Sequence, residues 1–184
     1  ALQQEEEHER MEVLVRLRDR KTGELFPPGA FLPAGERYGL SPKIDRWVVS
    51  QTIKLATIQY ELFGDRRTYW INLSGSSIGD DVFLGFLSDI LAKTSLPRGT
   101  INFEITETAV VRNMHQATAA IERLHAFGCA FALDDFGTGL SSFGYLKSLP
   151  IDIIKIDGLF VRGITTDVID RKFVQAIIEI AHTM

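Results

Sequence analysis

The chain has 184 residues, of which 45% are hydrophobic and 24% charged, enough to build one domain around one sizeable core. Its net charge of -4, from 20 basic and 24 acidic residues, excludes a binder of nucleic-acid polymers that works through a basic surface, while leaving room for a small anionic ligand held through metal. A lone cysteine, Cys129, excludes an internal disulfide and fits a reducing compartment. No apolar run reaches the roughly 18 residues of a membrane helix, and the opening A-L-Q-Q-E-E-E-H-E-R lacks the character of a signal peptide, so a cytoplasmic location is expected.

Residues 1–10 are polar and acidic without periodicity and read as a linker or loop, with the domain at 11–184. From Met11 the chain alternates, placing Met11, Val13, Val15 and Leu17 on one face of a strand and Glu12, Leu14 and Arg16 on the other. An acid and a base on that second face either bind something or are bridged to each other by a third group. Turn-rich passages follow at 21–24 and 27–29. Ser41 and Pro42 read as an N-cap and a first-turn proline, opening a helix through Ile44, Trp47, Val48, Ile53 and Leu55 that reaches about Phe63 and stops at Gly64-Asp65. A strand at 68–73 carries Asn72 near its C-terminal end, where such a residue commonly satisfies a backbone group in a turn. The spacing over 80–93 predicts an amphipathic helix with Val82, Phe83, Phe86, Leu87, Ile90 and Leu91 inward. The strand at 100–106 alternates Ile101, Phe103 and Ile105 against Asn102, Glu104 and Thr106, with Glu107 at its end, and the next helix, 115–127, stops at Gly128.

The stretch 129–142, C-A-F-A-L-D-D-F-G-T-G-L-S-S, is a strand that delivers two adjacent carboxylates, Asp134 and Asp135, to a turn built on Gly137 and Gly139. Neighbours on a regular strand point to opposite faces. Both aspartates therefore serve one site only if the strand ends or bulges between them. The alternative is a surface turn in which they are solvated and Asp135 caps the next element. A short helix near 141–147, a strand at 151–156 with Lys155 and Asp157 on one face, and a helix over 167–181 burying Val168, Ile169, Phe173, Ile177, Ile178 and Ala181 complete the chain.

Strands alternating with helices make parallel βα units, and such folds bind ligands at the C-terminal ends of their strands. There the chain places Glu12, Asn72, Glu104, Asp134 with Asp135, and Lys155 with Asp157. Carboxylates and an amide together suit a hard divalent cation such as Mg²⁺ or Mn²⁺. A neighbouring lysine can hold water or neutralise a phosphate. A (β/α)₈ barrel takes about 250 residues and eight strands. The expected fold is thus a TIM-like (β/α)₈ barrel that is incomplete, with about five βα units and its first and last strands missing.

As an ordered set, E-V-L-V-R at 12–16, N-L-S at 72–74, E-I-T-E at 104–107, D-D-F-G-T-G at 134–139 and K-I-D at 155–157 resemble the EAL domain, a bacterial phosphodiesterase family that hydrolyses cyclic di-GMP to linear pGpG. The segment F-L-P-A-G-E-R-Y-G-L resembles the family's segment after its signature strand. The resemblance implies that Glu12, Asn72, Glu104 and Asp134 bind one Mg²⁺ or Mn²⁺ ion, with Asp134 bridging to a second ion also held by Asp135. It further implies that Lys155 positions the attacking water, making Lys155, Glu12, Asp134 and Asp135 the catalytic set. Arg16 and Asp157 would contact the substrate, and Glu107 would brace the loop 136–142. Val13 stands where the signature has alanine, and Gly35 where alanine is usual. A further glutamate of the second metal site and a glutamine near the ligand belong to strands beyond Met184. Cyclic di-GMP, flanking signalling domains and a homodimer are the implied partners. The competing reading is an EAL-like receptor or regulatory module that binds the nucleotide without turnover, and the intact acid set favours the enzyme.

Overall fold

The computed structural model describes residues 9–64, 66–139 and 143–184. Strand β1 (Arg10–Val13) runs into a small antiparallel hairpin of β2 (Leu17–Arg18) and β3 (Leu25–Phe26), then helices α1 (Pro28–Arg37) and α2 (Ser41–Phe63). Next come β4 (Thr68–Asn72), α3 (Gly75–Ile78), α4 (Asp81–Lys93), β5 (Ile101–Thr106), α5 (Glu107–Arg112), α6 (Met114–His125) and β6 (Phe131–Phe136). A 3-10 turn at Phe143–Ser148 leads to β7 (Ile153–Ile156), α7 (Gly158–Arg162) and α8 (Val168–Thr183).

The frame is a five-stranded sheet in the order β1-β4-β5-β6-β7, and every neighbouring pair is parallel. Parallel neighbours need crossovers rather than hairpins, so the helices cover the sheet and its C-terminal strand ends open together at one rim. The result is a half-barrel, the curved sheet of an incomplete TIM-like barrel. Its core lies between sheet and helices: Ile71, Phe103, Ile105, Phe131 and Leu133 from the strands meet Val49, Leu87, Ile121 and Leu124 from the helices. Phe103 and Phe131 sit on adjacent strands with ring centroids 5.5 Å apart, a pairing that contributes about 1 kcal/mol beyond area burial.

Several sequence expectations need correction. β1 ends at Val13, and Leu17 is exposed because it belongs to the hairpin rather than to the sheet. Arg10 already belongs to β1, and residues 1–8 of the expected linker lie outside the described residues. In α2, Ser41 is the first helical residue and is buried, while Leu40 occupies the cap position without a side-chain bond. The buried arc of α2 holds Asp45, Val48, Val49, Thr52, Ile53 and Ala56, leaving Trp47 and Leu55 exposed. Val82 is exposed, as a first-turn residue beside the Asp80 cap. In α8 the fully buried positions are Val174 and Ile177, whereas Val168, Ile169 and Ile178 are exposed because the helix packs mainly on α7 and β7. The expected short helix near 141–147 is present as the 3-10 turn at Phe143–Ser148, while Ser141 and Ser142 lie outside the described residues. The sequence does not predict α1: Pro33 and Gly35 argue against a helix, but Gly35 is buried where a Cβ would stand 3.0 Å from Ile44, so packing on α2 decides the conformation. No helix among the described residues is long and apolar enough to cross a membrane.

Candidate active site

The C-terminal rim gathers side chains from all the parallel strands. Glu12 on β1 is exposed on the open face of the sheet, and its Oε1 accepts from Asn72 Nδ2 at 3.3 Å. The parallel register sets Asn72 beside Glu104 on β5 and Thr106 beside Asp134 on β6. From β7, Lys155 Nζ donates to Glu104 Oε2 and, at 3.1 Å, to Asp134 Oδ2.

β6 breaks register between Leu133 and Phe136. Asp135 sits at φ 53, the only non-glycine positive φ among the described residues, and its N–H donates to Asp134 Oδ1 at 3.0 Å. Aspartate tolerates this left-handed conformation better than most residues because its short side chain can bond locally. The bulge removes the strict alternation that would have sent the two carboxylates to opposite faces. Burial, followed by the charges of Asp134 and Asp157, raises the Asp135 carboxyl above its usual range. Asp157 itself caps α7, accepting from Leu159 N–H at 2.6 Å.

Glu107 opens α5 and is only 3% exposed. Its Oε2 accepts the N–H groups of Gly137 (2.9 Å) and Gly139 (3.2 Å), and its Oε1 accepts the Tyr145 hydroxyl at 2.9 Å. A Cβ at Gly139 would stand 2.9 Å from this carboxylate. Gly137, at φ 103, is packed beneath Phe160 and Phe173. Arg16 lies beyond β1, exposed, and donates to the Val15 carbonyl at 2.9 Å.

Burial raises the Glu104 carboxyl; Lys155 opposes that, and the charges of Asp134 and Glu12 add to it. Burial alone would push Lys155 down, but its bonds to Glu104 and Asp134 outweigh it and hold the ammonium above its usual range. Glu104 thus lies within the field of Lys155, Asp134 and Glu12, and Asp135 within that of Asp134, Asp157 and Lys155. Among the described residues no three His, Cys, Asp or Glu side chains are drawn close enough to enclose a metal as they stand. The donor types nevertheless suit a hard divalent cation: carboxylates and an amide share one rim and carry more negative charge than Lys155 offsets.

Of the rim residues, Glu12 and Asn72 also line a groove of 820 Å³ whose wall includes Leu14, Pro28, Asp45 and Arg112. Asp45, buried on α2, accepts from Ser74 N–H (2.9 Å), Ser74 Oγ (2.8 Å) and Ser77 Oγ (2.6 Å) through one oxygen, which fixes the turn directly after Asn72. Sequence reasoning missed Asp45 and Tyr145. An acid on the apolar arc of a helix was a readable sign that Asp45 must have partners, whereas nothing local marked Tyr145.

The family model of the EAL domain matches residues 3–184. The chain is 35% identical over 176 residues to the cyclic di-GMP phosphodiesterase PdeB of Shewanella oneidensis, which covers 96% of this chain and 20% of that protein. It is also 35% identical over 171 residues to the cyclic di-GMP phosphodiesterase PdeF of Escherichia coli, covering 93% of the chain and 23% of the relative. The chain thus spans about a fifth to a quarter of the length of these curated relatives. The crystal structure of the FimX EAL domain from Pseudomonas aeruginosa bound to c-di-GMP superposes with a TM-score of 0.85 at 33% identity, covering 96% of this chain and 69% of that one. Because the match runs through every strand that carries a rim carboxylate, the chain belongs to the EAL domain family.

Proposed function

We propose that this chain carries the catalytic carboxylates of a metal-dependent phosphodiesterase that opens cyclic di-GMP to linear pGpG. The observation that carries this reading is the bridge made by Lys155 between Glu104 and Asp134, beside the Asp134–Asp135 bulge. Two EAL relatives of this chain are themselves named cyclic di-GMP phosphodiesterases.

In this reading Glu12, Asn72, Glu104 and Asp134 hold one Mg²⁺ or Mn²⁺ ion, and Asp134 with Asp135 contributes to a second. When bound, such ions lower the pKa of water and stabilise the entering and leaving oxygens of an in-line displacement. Water adds to phosphorus, the bond to the 3′ oxygen breaks, and that oxygen takes the proton, leaving a 5′ phosphate. Lys155, an ammonium donor to two carboxylates, orients water rather than deprotonating it. Glu107 braces the loop through the Gly137 and Gly139 amides, while Arg16 and Asp157 meet the substrate. The reading places the chain in the cytoplasm, alongside signalling domains and as a homodimer.

The test is turnover of cyclic di-GMP with Mg²⁺ or Mn²⁺ by this chain and by a longer protein containing it, with products separated by chromatography. Linear pGpG is expected, and Asp134→Asn should lower its formation about 1,000-fold or more, corresponding to about 4 kcal/mol at the transition state. If the longer protein binds the nucleotide and leaves it intact, catalysis is refuted and the acids belong to a receptor.

A further inference from the structure

We propose that Tyr145 is a positioning residue for the rim carboxylates, acting through Glu107 on the two glycines that follow Asp134 and Asp135. The proposal rests on the reading above only in taking those aspartates as the site being positioned. Among the described residues, Glu107 is a buried carboxylate with no cation partner, satisfied by three neutral donors: the Tyr145 hydroxyl on Oε1, and the Gly137 and Gly139 amides on Oε2. Hydrogen bonds to a buried anion are the strong kind, and withdrawing one donor leaves the remaining oxygen without compensation.

The geometry makes the three bonds interdependent. A carboxylate is planar, so fixing Oε1 on the phenol fixes the direction in which Oε2 meets the glycine amides. The space is also tight, because Gly139 approaches the carboxylate so closely that a methyl group there would stand 2.9 Å away. Glu107 therefore cannot drift without moving Gly139, and Gly137 is packed closely by the Phe160 and Phe173 rings. Only one residue, Phe136, separates Gly137 from Asp135, whose left-handed backbone sets the bulge. Tyr145 comes from the 3-10 turn at Phe143–Ser148. One carboxylate thus anchors the chain both just after β6 and six residues beyond Gly139.

Tyr145→Phe keeps the ring and removes only the hydroxyl. Three quantities would be compared with the parent: hydrogen exchange of the peptide covering 134–139, Mn²⁺ affinity by calorimetry, and the thermal midpoint. Exchange at Gly137 and Gly139 should accelerate about 10-fold and Mn²⁺ affinity should weaken about 10-fold, the lower range for a residue supporting a ligand shell. Leu146→Ala is the control: Leu146 is 1% exposed in the core and makes no bond to Glu107, so it should lower the thermal midpoint while exchange at 134–139 changes no more than elsewhere. Parent-like exchange and affinity in Tyr145→Phe would overturn the proposal, as would changes that merely track the midpoint as in the control. If the parent itself binds no Mn²⁺, the phosphodiesterase reading fails, and the exchange comparison still decides the role of Tyr145.

Discussion

At the N-terminal ends of β5 to β7, polar side chains spend their hydrogen bonds on the backbone. Asn102 donates to Gly99 O and accepts from Ala130 N–H; Asp152 accepts from Phe131 N–H; Arg98 donates to the carbonyls of His125 and Ala126. At the C-terminal ends of the same strands the carboxylates of Glu104 and Asp134 turn to Lys155, and burial raises the Glu104 carboxyl above its usual range. The first end sutures strands; the second gathers more carboxylates than Lys155 neutralises. A buried charge that its surroundings do not fully satisfy is expensive, and parallel βα folds concentrate such groups where ligands bind. The proposed function assigns stabilising and chemical roles within single strands on that difference, since Asn102 and Glu104 are two positions apart on β5.

That pair gives the sharpest test. Glu104→Gln should lower turnover about 1,000-fold while changing the urea midpoint little, because Lys155 retains Asp134. Asn102→Ala should do the reverse. It orphans Gly99 O and Ala130 N–H at a position 2% exposed, costing about 3 kcal/mol of unfolding free energy with kcat close to the parent. If Asn102→Ala loses kcat at full stability, the division between the two ends is wrong.

Much of this arrangement was legible from the chain. The period-two alternation around Phe103 and the apolar run before Asp134 located β5 and β6, and the double aspartate raised the question that the bulge at Asp135 answers. Gly64, at φ 63, ends α2 where the sequence says it must. Other features resisted for physical reasons. The α1 helix runs through Pro33 against its own propensity, because its value lies in packing on α2. The burial of α8 depends on which neighbours cover it, a property no helical period contains. Tyr145 and Glu107 are 38 positions apart, so their bond exists only once β6 has been laid beside β5.

Asp45 extends the comparison to the groove wall. Burial is the main cause that raises its carboxyl above the ordinary 3.8, and its bonds from Ser77 and Ser74 pull the other way without prevailing. Between 3.8 and the raised folded value, the folded chain binds more protons than the unfolded one, so this residue's contribution to stability falls as pH rises through that window and then stays at its lower level. Asp45→Asn removes the effect. In urea titrations from about pH 4 to 7, the parent's stability relative to the variant should decline with pH. A rise instead would show that the serine hydrogen bonds outweigh burial.

The smallest effect belongs to His125 at the suturing end. Its Nε2 lies 3.0 Å from Asp152 Oδ2, and the Asp152 side chain is 45% exposed, so the pairing is screened by solvent and contributes less than about 1 kcal/mol. The ring also meets Phe131 edge-on at 5.8 Å. Asp152 retains the Phe131 N–H when the imidazole is gone, so the β6–β7 junction keeps its backbone bond. His125→Ala should therefore lower unfolding free energy by about 1 kcal/mol, ring packing included, with turnover unchanged. A loss near 3 kcal/mol would mean that Asp152 depends on the imidazole to stay aligned with Phe131. The suturing end would then be a coupled network like the carboxylate rim, rather than a row of independent bonds to the backbone.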